Sequence, residues 1–172
     1  MSKINWINHK KINFENLNNI LSVSLRTGQL TNYGPVVKSL ESFFREKLQI
    51  ENNKCVIAVC NGAVGLHALV SGINIYHNKE FRYATQSFTF PSAAQGPLRN
   101  SKIIDIDNEM GLDLNLIDPS TIDGIIVTNL FGHVTNIFKY IEWAKIHTKI
   151  LLFDNATVPF TKYKNLNCLN YG

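Results

Sequence analysis

Apolar residues along this chain recur at two different spacings, and the change of spacing separates helices from strands. Val36, Val37, Leu40, Phe43, Phe44 and Leu48 return every three or four residues, so 35–48 is predicted as an amphipathic helix. Pro35 suits its first turn, after the turn Asn32-Tyr33-Gly34-Pro35. Ile20, Leu21, Val23 and Leu25 belong to an earlier helix that Thr27-Gly28 ends. Val64, Leu66, Ala68, Leu69 and Ile73 mark another, and Ile137, Tyr140, Ile141 and Ala144 mark a helix over 136–147. Pro91 is placed to start a helix after Thr89 or Phe90, and Asp113 to Ile117 forms one helical turn that Asp118-Pro119 stops.

Short apolar runs alternate with these helices: Cys55–Val59, Phe81–Thr85, Lys102–Ile106, Gly124–Thr128 and Ile150–Asp154. Strands alternating with helices imply an α/β fold, three layers deep, with a mostly parallel sheet. The last run, Ile150-Leu151-Leu152-Phe153, carries no polar alternation and reads as a strand buried on both faces. There is no linker and no internal repeat. The length suggests one domain, 31–172, preceded by an N-terminal segment, 1–30.

Composition narrows the function classes. An apolar fraction of 45% against 17% charged residues supplies a core and excludes a disordered chain. The net charge is +4, but the lysines are scattered, with Lys10-Lys11 and Lys162/Lys164 the only local pairings, so a nucleic-acid partner is not expected. Cys55, Cys60 and Cys168 have neither metal spacing nor the even count of a disulfide framework, and no second histidine stands at ligand spacing from His133. Met1 to Asn13 is polar, without the apolar core of a secretory leader, and no apolar run approaches membrane-spanning length. A cytoplasmic chain without membrane or metal is the expectation.

Candidate chemistry lies at the ends of these elements. In an open α/β sheet, ligands sit outside the carboxyl ends of the strands, and Asp154 stands at such an end. If the extended conformation continues, Asp154 and Ala156 point the same way, a carboxylate and a small apolar group facing one ligand. The plainer alternative is that Asp154 only caps the next segment. Asn61-Gly62-Ala63 opens a helix after a strand, where backbone N–H groups can approach an anion, although any α/β unit needs such a turn. Phe88 and Phe90 beside a helix start read by default as core packing, and His133 as a loop or cap residue.

Taken in order, these stretches resemble the DegT/StrS-type nucleotide-sugar aminotransferases, fold-type I enzymes that use pyridoxal 5'-phosphate. Thr27-Gly28, then Gly34-Pro35 and an amphipathic helix, looks like their opening. Asn61-Gly62-Ala63-Val64-Gly65-Leu66-His67-Ala68-Leu69 resembles their phosphate cradle, and Ser87-Phe88-Thr89-Phe90 their cofactor-stacking segment. Lys102-Ile103-Ile104-Asp105-Ile106-Asp107 with Leu112-Asp113, Phe131-Gly132-His133, and Asp154-Asn155-Ala156 resemble the motifs that follow, from about Thr27 to the last residue.

The resemblance implies an incomplete pyridoxal-phosphate transferase large domain. Asp154 would pair with the protonated pyridine nitrogen, Phe90 and Ala156 would lie on opposite faces of the ring, and the N–H groups of Gly62 and Ala63 would hold the phosphate. The reaction implied moves an amino group from glutamate to a nucleotide-linked keto-sugar, as in polysaccharide or amino-sugar biosynthesis, in an enzyme that is a homodimer when complete. Two departures stand out. Ala63 replaces the family's usual threonine, and no lysine follows Asp154 in the expected context, since Lys162 and Lys164 come too soon. The Schiff-base lysine is therefore expected to lie outside this chain, together with the small domain. The resemblance also sets 55–59 at a sheet edge beside strands encoded late in the chain, so this run is expected either to pack elsewhere or to expose an edge. The chain is then poorly soluble or partner-dependent.

Two other readings compete. One is a non-catalytic remnant, or a split-enzyme subunit that binds a partner chain. The other is an unrelated nucleotide binder, but Asn61-Gly62-Ala63-Val64-Gly65 does not supply its Gly-x-Gly-x-x-Gly turn.

Overall fold

Local chemistry sets the helix ends. Asn13 accepts the Asn16 N–H at 3.0 Å and opens α1 (Phe14–Thr27), which Gly28 closes in the left-handed conformation at φ 69°. Pro35 begins α2 (Pro35–Lys47), with Arg45 and Lys47 favourably placed in its last turn. Asn61 caps α3 (Gly62–His77) by accepting the Val64 N–H at 2.9 Å, and Asn78 ends it in the left-handed region. These assignments come from a computed structural model, which describes residues 10–171. Residues 1–9, most of the polar N-terminal stretch for which no leader was expected, and the final Gly172 lie outside that range.

The strands β1 (Tyr83–Gln86), β2 (Lys102–Ile104), β3 (Gly124–Thr128) and, after α4 (Ile137–Ile146), β4 (Ile150–Asp154) form one parallel sheet. Its order is β2-β1-β3-β4. Side-chain alternation divides the sheet into two faces. Ala84, Ile125, Val127, Leu151 and Phe153 pack with Tyr140 and Trp143 of α4. Tyr83, Ile126, Ile150 and Leu152 pack with Leu66 and Val70 of α3. The result is the expected three-layer α/β arrangement.

Three expectations change. Cys55–Val59 belongs to no strand, and Ile57 is 75% exposed. An apolar run becomes a strand only if a neighbour accepts its backbone groups, and among the described residues 55–59 form no backbone–backbone hydrogen bond. The Ala58 N–H instead donates to the buried Glu41 carboxylate at 2.8 Å. Among the described residues the main sheet accordingly has four strands rather than five. The second change is at β4. Both of its faces are covered, yet all five residues are only half-buried, because β4 is an edge strand.

The third change concerns residues 158–171, where the sequence predicts no element. Lys162–Tyr163 (β5) and Leu166–Asn167 (β6) form an antiparallel hairpin, whose turn residues Lys164 and Asn165 both have positive φ. Behind it, Val158 and Cys168 are buried against Ile137 of α4. The run predicted at 102–106 ends its ladder at Ile104, although Ile106 bridges to Leu112. The turn at 113–117 is a short 3-10 helix, Leu114–Leu116, capped by Asp113.

A single cation fastens the β2–β3 connection to α4. Asp107 accepts the N–H groups of Glu109 and Gly111 at 2.9 and 3.0 Å, and also the Lys139 ammonium, which reaches Glu109 at 3.3 Å as well. Burial pushes the Asp107 carboxyl up, but Lys139 and the two N–H groups pull harder and hold it below the ordinary carboxylate value. Asp107 therefore contributes stability that is present above its unfolded pKa and lost as pH falls through the lower folded one. Asp107→Asn is expected to cost about 1–2 kcal/mol near neutral pH in urea unfolding. The difference from wild type should close below about pH 4.

Candidate functional site

The carboxyl ends of β3 and β4 open onto the N-terminus of α3. In the β3–β4 register Thr128 lies opposite Asp154, and alternation turns the Asp154 side chain toward the α3 side of the sheet, the side of Ile150 and Leu152. A cavity of about 710 Å³ lies there, lined by Asn61, Gly62, Ala63, Phe90, Asp154 and Ala156, with Thr128, Asn129 and Thr157 among the other walls. The five residues singled out in the sequence, Gly62, Ala63, Phe90, Asp154 and Ala156, thus all face one space.

Each is held by an identifiable device. The chain turns after Asn155 rather than continuing extended, so Asp154 and Ala156 are brought together by a turn and not by strand alternation. Asp154 Oδ1 accepts the Ala156 N–H at 3.1 Å, which is the capping role foreseen as the plainer alternative. The same carboxylate still lines the cavity, and its Oδ2 accepts no hydrogen bond from the described residues. Phe90 is 66% exposed and Phe88 46% exposed, so neither is a core residue. Pro91–Ala94 forms a 3-10 turn, and the His67 Nε2–H donates to the Ser92 carbonyl at 2.8 Å, tying the Phe90 segment to α3.

The N–H groups of Gly62 and Ala63, in the first turn of α3, have no intrahelical acceptor. The helix dipole adds partial positive charge at the same point. Gly62 looks across at Ala156, and a Cβ built on it would stand 4.0 Å from the Ala156 Cβ.

Several lining residues escaped the sequence reading. Thr128 and Asn129 stand at the carboxyl end of β3, where the rule applied to Asp154 would have found them. Gln86 is fully buried and extends the β1–β3 pairing with its side chain: it accepts the Thr128 N–H at 3.1 Å and donates to the Thr128 carbonyl at 3.0 Å. His133 is an exposed loop residue contacting the Glu109 carbonyl at 3.1 Å. Among the described residues, no cluster of histidine, cysteine, aspartate or glutamate is arranged for a metal, and no helix is long and apolar enough to cross a membrane. Among the described residues, no lysine lines the cavity. Lys164 sits in the β5–β6 hairpin with its ammonium 4.4 Å from the Phe138 ring centroid.

The sequence matches the DegT/DnrJ/EryC1/StrS aminotransferase family over residues 11–169. The chain belongs to this family. Solved structures of similar fold include DesI in the presence of its TDP-sugar product, at TM-score 0.78 and 20% identity over 94% of this chain and 41% of that one. Helicobacter pylori PseC, an aminotransferase involved in the biosynthesis of pseudoaminic acid, gives TM-score 0.75 and 18% identity over 92% and 43%. GDP-4-keto-6-deoxymannose-3-dehydratase with a trapped PLP-glutamate geminal diamine gives 0.66 and 18% over 86% and 40%. At these identities the likeness shows the fold. The chain spans less than half the length of these relatives.

The residues present fit pyridoxal phosphate. A carboxylate stands at one wall of the cavity, a helix N-terminus with unused N–H groups at another, and an exposed aromatic side chain at a third. Gly62 meets no close neighbour and is not in the left-handed region, so the fold itself does not require glycine there. Gly62→Ala is expected to raise stability by about 0.4–1 kcal/mol in urea unfolding, by reducing the freedom of the unfolded chain. A loss of stability would show that the glycine serves the fold and not the cavity.

Proposed function

We propose that this chain forms the cofactor-binding part of a pyridoxal-phosphate-dependent aminotransferase that transfers an amino group from glutamate to a nucleotide-linked keto-sugar. The observation that carries the reading is the shared cavity of Gly62, Ala63, Phe90, Asp154 and Ala156. Pyridoxal phosphate, when bound, supplies an electron sink for the substrate carbon that loses a proton. Asp154 is the residue to hold the pyridine N–H through a charge-assisted hydrogen bond, with its other oxygen anchored by Ala156. The N–H groups of Gly62 and Ala63 are the donors for the phosphate. Phe90 offers a ring face for stacking, and Ala156 offers a flat apolar surface. Ala63 brings no hydroxyl to the cradle, so the backbone donors carry that contact.

A second reading shares this site and follows from the lysines. Transamination needs an amine that moves a proton beside the cofactor aldehyde, and none lines the cavity among the described residues. In this reading the lysine comes from polypeptide other than these residues, and the chain acts as a subunit or segment that supplies the cofactor pocket to a partner. The exposed apolar side chains of Ile57, Ile20 and Phe43 suit such a partner. A homodimer and a cytoplasmic setting belong to the same proposal.

The test uses pyridoxamine 5'-phosphate, which has no aldehyde and cannot form imines with surface lysines. Wild type should bind it, Asp154→Asn should weaken binding about tenfold, and Phe90→Ala should cost about 0.5–1.5 kcal/mol. Equal affinity for wild type and Asp154→Asn would remove Asp154 from the role. Borohydride reduction of the chain with pyridoxal phosphate should give scattered, substoichiometric lysine labelling without amino transfer from glutamate. One stoichiometric adduct accompanied by turnover would contradict the reading of the lysines.

A further inference from the structure

Asn129 is 1% exposed and has every polar group engaged. Its N–H donates to the Asp154 carbonyl at 3.0 Å. Its Nδ2 donates to the Asn155 Oδ1 at 2.7 Å. Its carbonyl accepts the Thr157 hydroxyl at 2.9 Å. Its Oδ1 accepts the Thr135 N–H at 2.9 Å and the Thr135 hydroxyl at 3.1 Å, which fixes the amide so that the nitrogen faces Asn155. One residue thus holds Asp154 by its backbone, and Asn155 and Thr157 by their side chains. What this turn turns toward the cavity is the Asp154 carboxylate, with Oδ1 held by the Ala156 N–H, and the Ala156 methyl.

From this pattern we infer that Asn129, acting through Asn155 and Thr157, is the positioning residue of the site. It sets the Asp154 carboxylate and Ala156 at a fixed place relative to the N-terminus of α3. The inference rests on the cofactor reading of the cavity. The chemistry favours a buried amide for this task. An amide donates and accepts at once without charge, so it can brace a turn beside a carboxylate and leave that carboxylate's charge to the ligand. A hydrogen-bonded network with its partners satisfied also gives the turn one conformation rather than several. Thr89 and Thr128, whose hydroxyls lie 2.7 Å apart, and Gln86 on the Thr128 peptide extend the brace to the Phe90 segment.

Gly62 and Ala156 supply a gauge that needs no ligand. The 4.0 Å between their Cβ positions lies within the range that a disulfide spans. A chain carrying Gly62→Cys and Ala156→Cys, with Cys55→Ser and Cys60→Ser to remove the exposed thiols, should close a bond between the two positions under mild oxidation. Adding Asn155→Ala should slow closure about tenfold, and the milder Thr157→Val should slow it measurably, while urea unfolding confirms that each variant is folded. Unchanged closure rates, with stability alone reduced, would mean that the network only supports the core and would overturn the inference.

The second arm is a double-mutant cycle on pyridoxamine 5'-phosphate affinity. If Asn155 acts through Asp154, Asn155→Ala should weaken binding about tenfold in wild type and hardly at all in the Asp154→Asn background. Costs that add in full would overturn the positioning role and leave the cofactor reading standing. No effect of Asp154→Asn by itself would instead overturn the cofactor reading.

Discussion

The parallel pairing of β3 with β4 is the constraint on which the rest of the site depends. Its register, Gly124 with Ile150 through Thr128 with Asp154, brings two strand ends level. Level ends place Asn129 beside the Asp154 carbonyl, and from that contact the turn 154–157 takes its shape. The same register decides which way Asp154 points. A slip of one residue would turn the carboxylate to the α4 side and Phe153 to the cavity. The apolar content of the two strands prevents this slip, because Ile125, Val127, Leu151 and Phe153 must meet α4 while Ile126 and Leu152 meet α3.

The site is a division of labour between main chain and side chain. Main-chain groups at the start of α3 offer positive potential, and that offer does not depend on the side chain at Ala63. The carboxylate of Asp154 faces it across the cavity from a different element, 92 positions later in the chain. Nothing in α3 or β4 alone constitutes a site. The fold creates it by stacking the helix on the sheet so that the helix start and the strand ends share one opening.

The open edge of β4 and the unpaired run 55–59 express a single fact about sheets. Backbone donors and acceptors along a strand call for a neighbour, and β4 has one on only one side. The apolar content of both runs suits strands with neighbours on both sides. Glu41 takes one of the unpaired N–H groups, a side chain doing for Ala58 what a neighbouring strand otherwise does.

The sequence by itself determined the elements whose reasons are local. Helices α2 and α4 followed from apolar spacing, α3 from Asn61 and its glycine, and the α/β class from the alternation of elements, since each depends on residues within a few positions of one another. The residues of the cavity were also legible, because motif order and strand-end rules pointed to Gly62, Phe90 and Asp154. Only the tertiary structure decided whether an apolar run has a neighbour, which is why 55–59 is no strand and β4 is an edge. Only it turned Phe90 outward, since a ring next to a helix start is core or surface according to what packs over it. The role of Asn129 was equally hidden: three of its contacts reach Asp154, Asn155 and Thr157 across a helix and a strand, and no spacing along the chain encodes a hydrogen bond of that reach.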